Sequence, residues 1–290
     1  MTTDEFVVTP GQAVRLTDLP TSTRAGFDGE DGARASLERV SEELVRHQSY
    51  LMAHETWGLL VLFQGMDAAG KDEAIEHVLI SLDPRGVVLK QFSRPSEEEL
   101  RQDFLRRAST ALPARGQVGI FNRSYYEQVV GDKVHPDGLD AQSLPDEARA
   151  DVWAKRYRQI GEFERYLVEN GIHLLKFFMH VSSEVQRERL LERIVKPDGQ
   201  WQFSYSDVEE RRHWDSYMRA YEEALEQTTT KHAPWHVIPA DAPWAARAAV
   251  GRILLEKLRS FHSDFPEPTD EEREELDEAR ARLEAEDGDR

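Results

Sequence analysis

The 290-residue sequence contains no cysteine, which excludes disulfides, zinc–thiolate sites and cysteine nucleophiles and suits a reducing compartment. Long apolar runs are missing too, the longest falling far short of the roughly 20 residues that span a bilayer. The start, MTTDEFVVTPGQAV, has neither the basic nor the apolar block of a signal peptide. A soluble, cytoplasmic protein with no membrane partner is expected. Positive charge is scarce: 37 Lys and Arg against 55 Asp and Glu leave a net −18, which argues against nucleic acid as a partner. Half of that excess lies between Asp264 and Arg290, where thirteen acidic and four basic residues give −9. The body is therefore only moderately acidic, and a local basic pocket for an anion remains compatible with it. With 39% apolar residues, the chain can bury one large core, or one core and a small appendage.

Residues 1–30 are polar, contain Gly, Pro and Thr, and show no sustained period, so an extended arm is expected. A domain over 31–262 follows, then an acidic tail over 263–290 that either forms a solvated helix or stays disordered. Leu37, Val40, Leu44 and Tyr50 or Leu51 recur at helical spacing and predict a helix over 33–55. Strands and helices then alternate. WGLLVLF (57–63) reads as a strand buried on both faces, leading into a Gly-rich loop and a helix through Ile80. GVVLKQF (86–92), QVGIF (117–121), IHLLKFFMHV from Ile172 and WHVIP (235–239) are the other strands. Ser96 with Glu99 forms a capping box for a helix to about Ala111. Helices are also expected from Pro145 to Asn170, from Ser182 or Ser183 to Lys196, from Asp207 to Gln227 and from Pro243 to Phe261. Crossovers of this length imply a parallel sheet covered on both faces. The expected fold is a three-layer α/β, P-loop NTPase-like sheet, with two charged helices over about 187–230 serving as a helical lid.

The Gly-rich loop is FQGMDAAGKDEA. Gly65 to Gly70-Lys71 fits GxxxxGK between a buried strand and a helix, the context in which backbone N–H groups form a phosphate cradle at a helix N-terminus. Gly65, Ala68, Ala69, Gly70, Lys71 and Asp72 are its candidate phosphate-binding positions. Two acids are out of place: Asp72 stands where a Ser or Thr hydroxyl usually holds Mg²⁺, and Asp67 lies inside the loop. A carboxylate about 4 Å from a phosphate charge costs on the order of 4 kcal/mol at an effective dielectric of 20. Asp67 must therefore turn away or meet a cation, and Mg²⁺ between Asp67 and phosphoryl oxygens would convert repulsion into bridging. Asp72 falls in the first helical turn, where the dipole favours it.

Beyond the loop, IFNRSYYEQ places Asn122, Arg123 and Glu127 at the carboxyl edge of the sheet. Arg123 can fork two phosphate oxygens, and Glu127 can hold a metal or orient an acceptor, or the two can simply pair with each other. QRERLLERIVKP puts Arg189 and Arg193 four residues apart on one helical face, suited to a chain of phosphates. Trp214, Tyr217 and Tyr221 read as a packing stripe.

GMDAAGKDEAI, FNRSYYE and RRHWDSYMRAYEEAL through TTTKHAPWHVIPAD together resemble the second family of polyphosphate kinases, the polyphosphate:nucleotide phosphotransferases, from about Leu59 to Leu258. The resemblance implies reversible, Mg²⁺-dependent (alternatively Mn²⁺-dependent) transfer of a terminal phosphoryl group from inorganic polyphosphate to a nucleoside mono- or diphosphate, by a homo-oligomer. It implies catalytic roles for Asp67, Lys71, Arg123 and Arg193, metal binding by Asp67 and Glu127, and nucleotide contact by Asn122 and Glu127. The sequence departs from the family's pattern at Gln128, at Gly199 and Gln202 in the lid, and at Ser93, for which Arg94 substitutes as a phosphate contact. Each departure removes charge near the expected anion path. An ATP-dependent small-molecule kinase and a non-catalytic binder of polyphosphate or nucleotide are the alternative readings.

Overall fold

The structure is a computed structural model in which residues 3–288 are described. Among them, five strands form one all-parallel sheet: β1 (Gly58–Gln64), β2 (Val87–Gln91), β3 (Val118–Asn122), β4 (Ile172–His180) and β5 (Trp235–Pro239). The order is β2-β3-β1-β4-β5. Central β1 is buried along its whole length, which explains its unbroken apolar sequence. Its residues still divide between the two faces. Leu59, Val61 and Phe63 pack in one cluster with Val78, Val250 and Ile253. Leu60 and Leu62 pack in the other with Phe121, Ile160, Tyr221 and Leu225.

The first face is covered by α1 (Glu30–His54), α2 (Lys71–Leu79) and α7 (Pro243–Arg259). Gly251 permits the close approach of α1 and α7, since a Cβ there would meet Leu37 at 3.1 Å. The second face is covered by α3 (Val152–Glu169) and α6 (Trp214–Thr228). Between β4 and β5 come α4 (Ser183–Val195) and α5 (Tyr205–Glu210), in the segment predicted as a lid. The acidic tail forms α8 (Asp270–Gly288), with Leu276 and Leu283 exposed. Among the described residues, no helix is long and apolar enough to cross a membrane.

The N-terminal arm is irregular, yet it packs closely on the body. Val7 makes an antiparallel bridge to His236, and Val8 N donates to Trp235 O at 2.9 Å. Phe6, Val8 and Leu16 are buried. The arm thus covers the outer edge of β5, where unpaired backbone groups would otherwise face solvent.

Three predicted helices are interrupted. The Ser96–Glu99 capping box forms, but its helix stops at Leu100 and restarts at Arg106, because Asp103 accepts from Leu105 N at 2.9 Å and competes with the helical ladder. The Pro145 helix breaks at Ala150-Asp151, where Asp151 is left-handed at φ +51°. The Asp207 helix is divided into α5 and α6 by a turn at Arg211–His213, whose Arg211 donates to Ser183 O at 3.0 Å at the start of α4.

A buried ion pair ties several elements together. Lys176 of β4 and Glu164 of α3 are both 0% exposed, 2.6 Å apart. Lys176 also donates to Thr228 O at the end of α6 (2.8 Å), and Glu164 accepts from Tyr125 and Tyr126 (2.9 and 2.7 Å). Burial lowers the Lys176 pKa against the opposing pull of Glu164. Such a pair adds little net stability, but it fixes which groups meet. Here it anchors the turn after β3.

Candidate active site

Strand order creates the site. β1 lies between β3 and β4, so the segments leaving β1 and β3 emerge side by side at the carboxyl edge, the usual ligand position in an α/β sheet. Gly65 takes φ +146°, where a Cβ would meet Met179 O at 2.9 Å, and Gly70 takes φ +94° as the residue capping α2. Both conformations favour glycine. Lys71 opens α2 and is buried, donating to Gly65 O and Met66 O at 3.0 and 2.8 Å. Burial, aided by the Arg123 charge, brings its pKa down to about 8, against the opposing carboxylates of Asp67, Asp72 and Glu127.

Arg123 leaves β3 in a left-handed conformation, φ +58°, with its N–H donating to Phe63 O at 2.9 Å. The next residues hold that turn: Ser124 caps it, and Tyr125 and Tyr126 are fixed to Glu164. The guanidinium reaches between two carboxylates, bonding Asp67 directly and approaching Glu127 at 3.3 Å. The pairing of Arg123 with Glu127 is therefore real, but it belongs to a three-residue cluster. Burial alone would raise the Asp67 pKa, yet the Arg123 and Lys71 charges prevail and lower it, so Asp67 is an anion at neutral pH.

Helix α4 closes over the loop. Gln186 donates to Asp67 O at 2.8 Å. Arg189 donates to Ala68 O (3.1 Å) and Ala240 O (2.6 Å), clamping the loop to the end of β5. Arg189, expected as a phosphate contact, thus has a structural role in holding the loop. Arg193, one turn on, joins Ala69, Gly70 and Arg189 in lining a cavity of about 350 Å³, and its charge also lowers the Asp67 pKa.

Other expected site residues lie differently. Asn122 donates to Asp72 at 2.5 Å, so these two satisfy each other beside the loop. Arg94 stands outside the cluster, its side chain 90% exposed and 3.9 Å from Glu210. Gln128 faces Gln142 (3.4 Å), and its carbonyl accepts from Arg156 (2.6 Å). The Ser93 carbonyl accepts from Arg107, Gly199 lines the cavity, and the side chain of Gln202 lies outside the described residues.

Two neighbours were not expected. Asp207 of α5 is pushed up to about 6 by burial and by the Asp67 charge, against the pull of Arg193, Arg123 and Lys71. It therefore lies within electrostatic reach of Asp67, Lys71, Arg123 and Arg193, although SYSDVEE reads as an ordinary first helical turn. Gln186 gave no sequence signal either.

Among the described residues, no three His, Asp or Glu side chains are grouped to hold a metal. The two carboxylates on either side of the Arg123 guanidinium nevertheless suit a hard cation. Mg²⁺ commonly takes one or two carboxylates and completes its shell with phosphate oxygens and water.

Known proteins resemble this chain over nearly its full length. The family described as polyphosphate kinase 2 matches residues 28–274. An ADP-polyphosphate phosphotransferase from Rhodopseudomonas palustris is 40% identical over 283 residues, covering 97% of this chain and 98% of its own. An AMP/ADP-polyphosphate phosphotransferase from Meiothermus ruber is 40% identical over 249 residues, covering 86% and 90%. The crystal structure of polyphosphate kinase 2 from Arthrobacter aurescens TC1 superposes with a TM-score of 0.85 at 35% identity, covering 95% and 96%.

Proposed function

The chain belongs to the polyphosphate kinase 2 family, and from that premise we propose that it phosphorylates both AMP and ADP with inorganic polyphosphate, reversibly and with Mg²⁺. The observation that carries this reading is the meeting of Asp67, Lys71 and Arg123 at one end of the loop. A phosphate acceptor is already ionised near neutral pH, so the reaction needs alignment and charge compensation more than a general base. The loop N–H groups and Lys71 hold the donor's terminal phosphates. Arg123 and Arg193 supply positive charge where negative charge spreads during transfer. Asp67, with Glu127, would hold Mg²⁺, which when bound neutralises the reacting phosphates. Gln186 and Arg189 keep the loop's carbonyl groups turned away from the anions by donating hydrogen bonds to them.

Product analysis by chromatography tests the assignment. With polyphosphate and Mg²⁺, AMP is expected to yield ADP and ADP to yield ATP, and a chelator is expected to stop both. Exclusive use of a nucleoside triphosphate donor, or binding without turnover in Mg²⁺ and Mn²⁺, would refute it.

The low Lys71 pKa adds a pH dependence. A lysine with a pKa of about 8 carries its charge below that pH and loses it above. The kcat/KM for polyphosphate, which reports the free enzyme, is therefore expected to fall about tenfold per pH unit once pH exceeds about 8. A flat profile to pH 10 would contradict this.

A further inference from the structure

The loop has two flanks. On the β3 flank stand Arg123, Asp67, Glu127 and the Asn122–Asp72 pair. On the β4 and β5 flank lies the cavity of about 350 Å³, reached past Gly70 and walled by Met179, Ala240 and Pro243. A chain of phosphates whose end is held in the loop must leave by one of them. The β3 flank presents two carboxylates, Asp67 and Glu127, around the single guanidinium that faces the transferring group. The cavity presents Arg193, Lys196 and Arg247 beyond Arg189. Three acids, Glu73, Glu192 and Asp198, also line it, so its net charge is modestly positive. Lys196 is paired with Glu192. Among the described residues, no aromatic side chain lines it, so these residues offer no ring face of the kind on which a nucleobase commonly stacks.

Arg247 is the lining residue farthest along the sequence from the loop and is held in place from two sides. It rises from α7, its Nε donating to Pro243 O at 3.1 Å and its Nη1 to His77 Nε2 at 2.9 Å. His77 lies on α2, the helix that starts at Lys71, and its Nδ1 faces Glu73 O at 3.0 Å. With Nδ1 donating, His77 is left to accept from Arg247. A guanidinium has five N–H donors in a rigid fork, so these two contacts leave others for an anion entering the cavity.

Resting on the reading of polyphosphate as donor, we propose that the cavity takes the donor chain beyond its terminal phosphates and that Arg247 is a specificity-determining residue that favours long chains over short ones. The nucleotide acceptor then approaches from the β3 flank, opposite the departing chain.

The test compares a long polyphosphate with tripolyphosphate as donors, at saturating ADP and fixed Mg²⁺. In Arg247→Ala, the ratio of kcat/KM for the long donor to that for tripolyphosphate is expected to fall about tenfold, the worth of one charge-assisted hydrogen bond. Arg247→Lys should restore about half or more of the ratio on a logarithmic scale, since it keeps the charge without the fork. Arg158→Ala, on the exposed surface of α3, should leave the ratio at the wild-type value, separating a local contact from a general loss of charge. The Kd of the long chain, measured by isothermal titration, should weaken in Arg247→Ala by a similar factor. An equal loss with both donors, or a raised KM for the nucleotide with the donor ratio unchanged, would overturn the assignment. If the wild-type protein used neither donor, the polyphosphate reading itself would fail and take this inference with it.

Discussion

Asp67→Asn is expected to lower kcat for nucleotide phosphorylation by about a thousandfold or more, the scale of losing a central electrostatic group, while the protein unfolds at nearly its wild-type temperature. The two halves of that expectation have separate causes. Asn is nearly isosteric with Asp, and the Asp67–Arg123 pair is 28% and 27% exposed, so its loss should remove at most about 1 kcal/mol from folding. Arg123 keeps Glu127 as a partner. Function has no such substitute. The amide carries no charge with which to hold a cation, and it would be a poorer ligand for Mg²⁺ than a carboxylate. A further sign distinguishes this account. The Asp67 carboxylate raises the Lys71 pKa, so whatever activity remains should begin to fall at a lower pH than in the wild type. Thermal unfolding and chromatographic detection of ADP formed from AMP measure both halves. A variant that turns over at near wild-type rate would remove Asp67 from the mechanism.

The second large effect is expected at Arg123. Arg123→Ala should reduce kcat/KM by about 10³-fold or more, in the range seen when an arginine facing a transferring phosphoryl group is removed. Arg123→Lys should recover only part of this, because an ammonium cannot fork between two carboxylates as the guanidinium does. The alanine variant also changes the acid limb of the pH profile. Arg123 is the chief group opposing burial at Asp67, so without it the Asp67 pKa rises and the active carboxylate is lost at higher pH than in the wild type. Steady-state rates across pH 5 to 8 would show that limb move upward. An unmoved limb, with kcat/KM within tenfold of wild type, would mean that Arg123 only supports the turn after β3.

How much of this was legible in the sequence depended on how local each signal was. The loop from Gly65 to Lys71 could be read because strand, glycine turn and helix are adjacent, and Arg123 because it directly follows a buried strand. The five strands were found for the same reason, each being a compact apolar run. The helix breaks were less visible. At Asp103 the interruption depends on a side chain turning back on its own backbone, and at Arg211 on a contact with Ser183 far along the chain. Asp207 and Gln186 reach the cluster only because α4 and α5 fold over the loop. Spacing put Arg189 and Arg193 on one helical face, but no sequence pattern could show that carbonyls of Ala68 and Ala240 would occupy two of the Arg189 donors.

The arm along β5 bears on how the chain can be handled. Val8 completes the backbone pairing of Trp235, so the outer strand of the sheet is sealed by residues within the first turn or two of sequence. A fusion partner or surface tether attached there would pull on the seal, and clipping the arm would leave a sticky, partner-seeking border of the kind that nucleates aggregation. The far end of the chain, by contrast, runs out through the solvent-exposed α8. That is the safer handle for immobilising this catalyst.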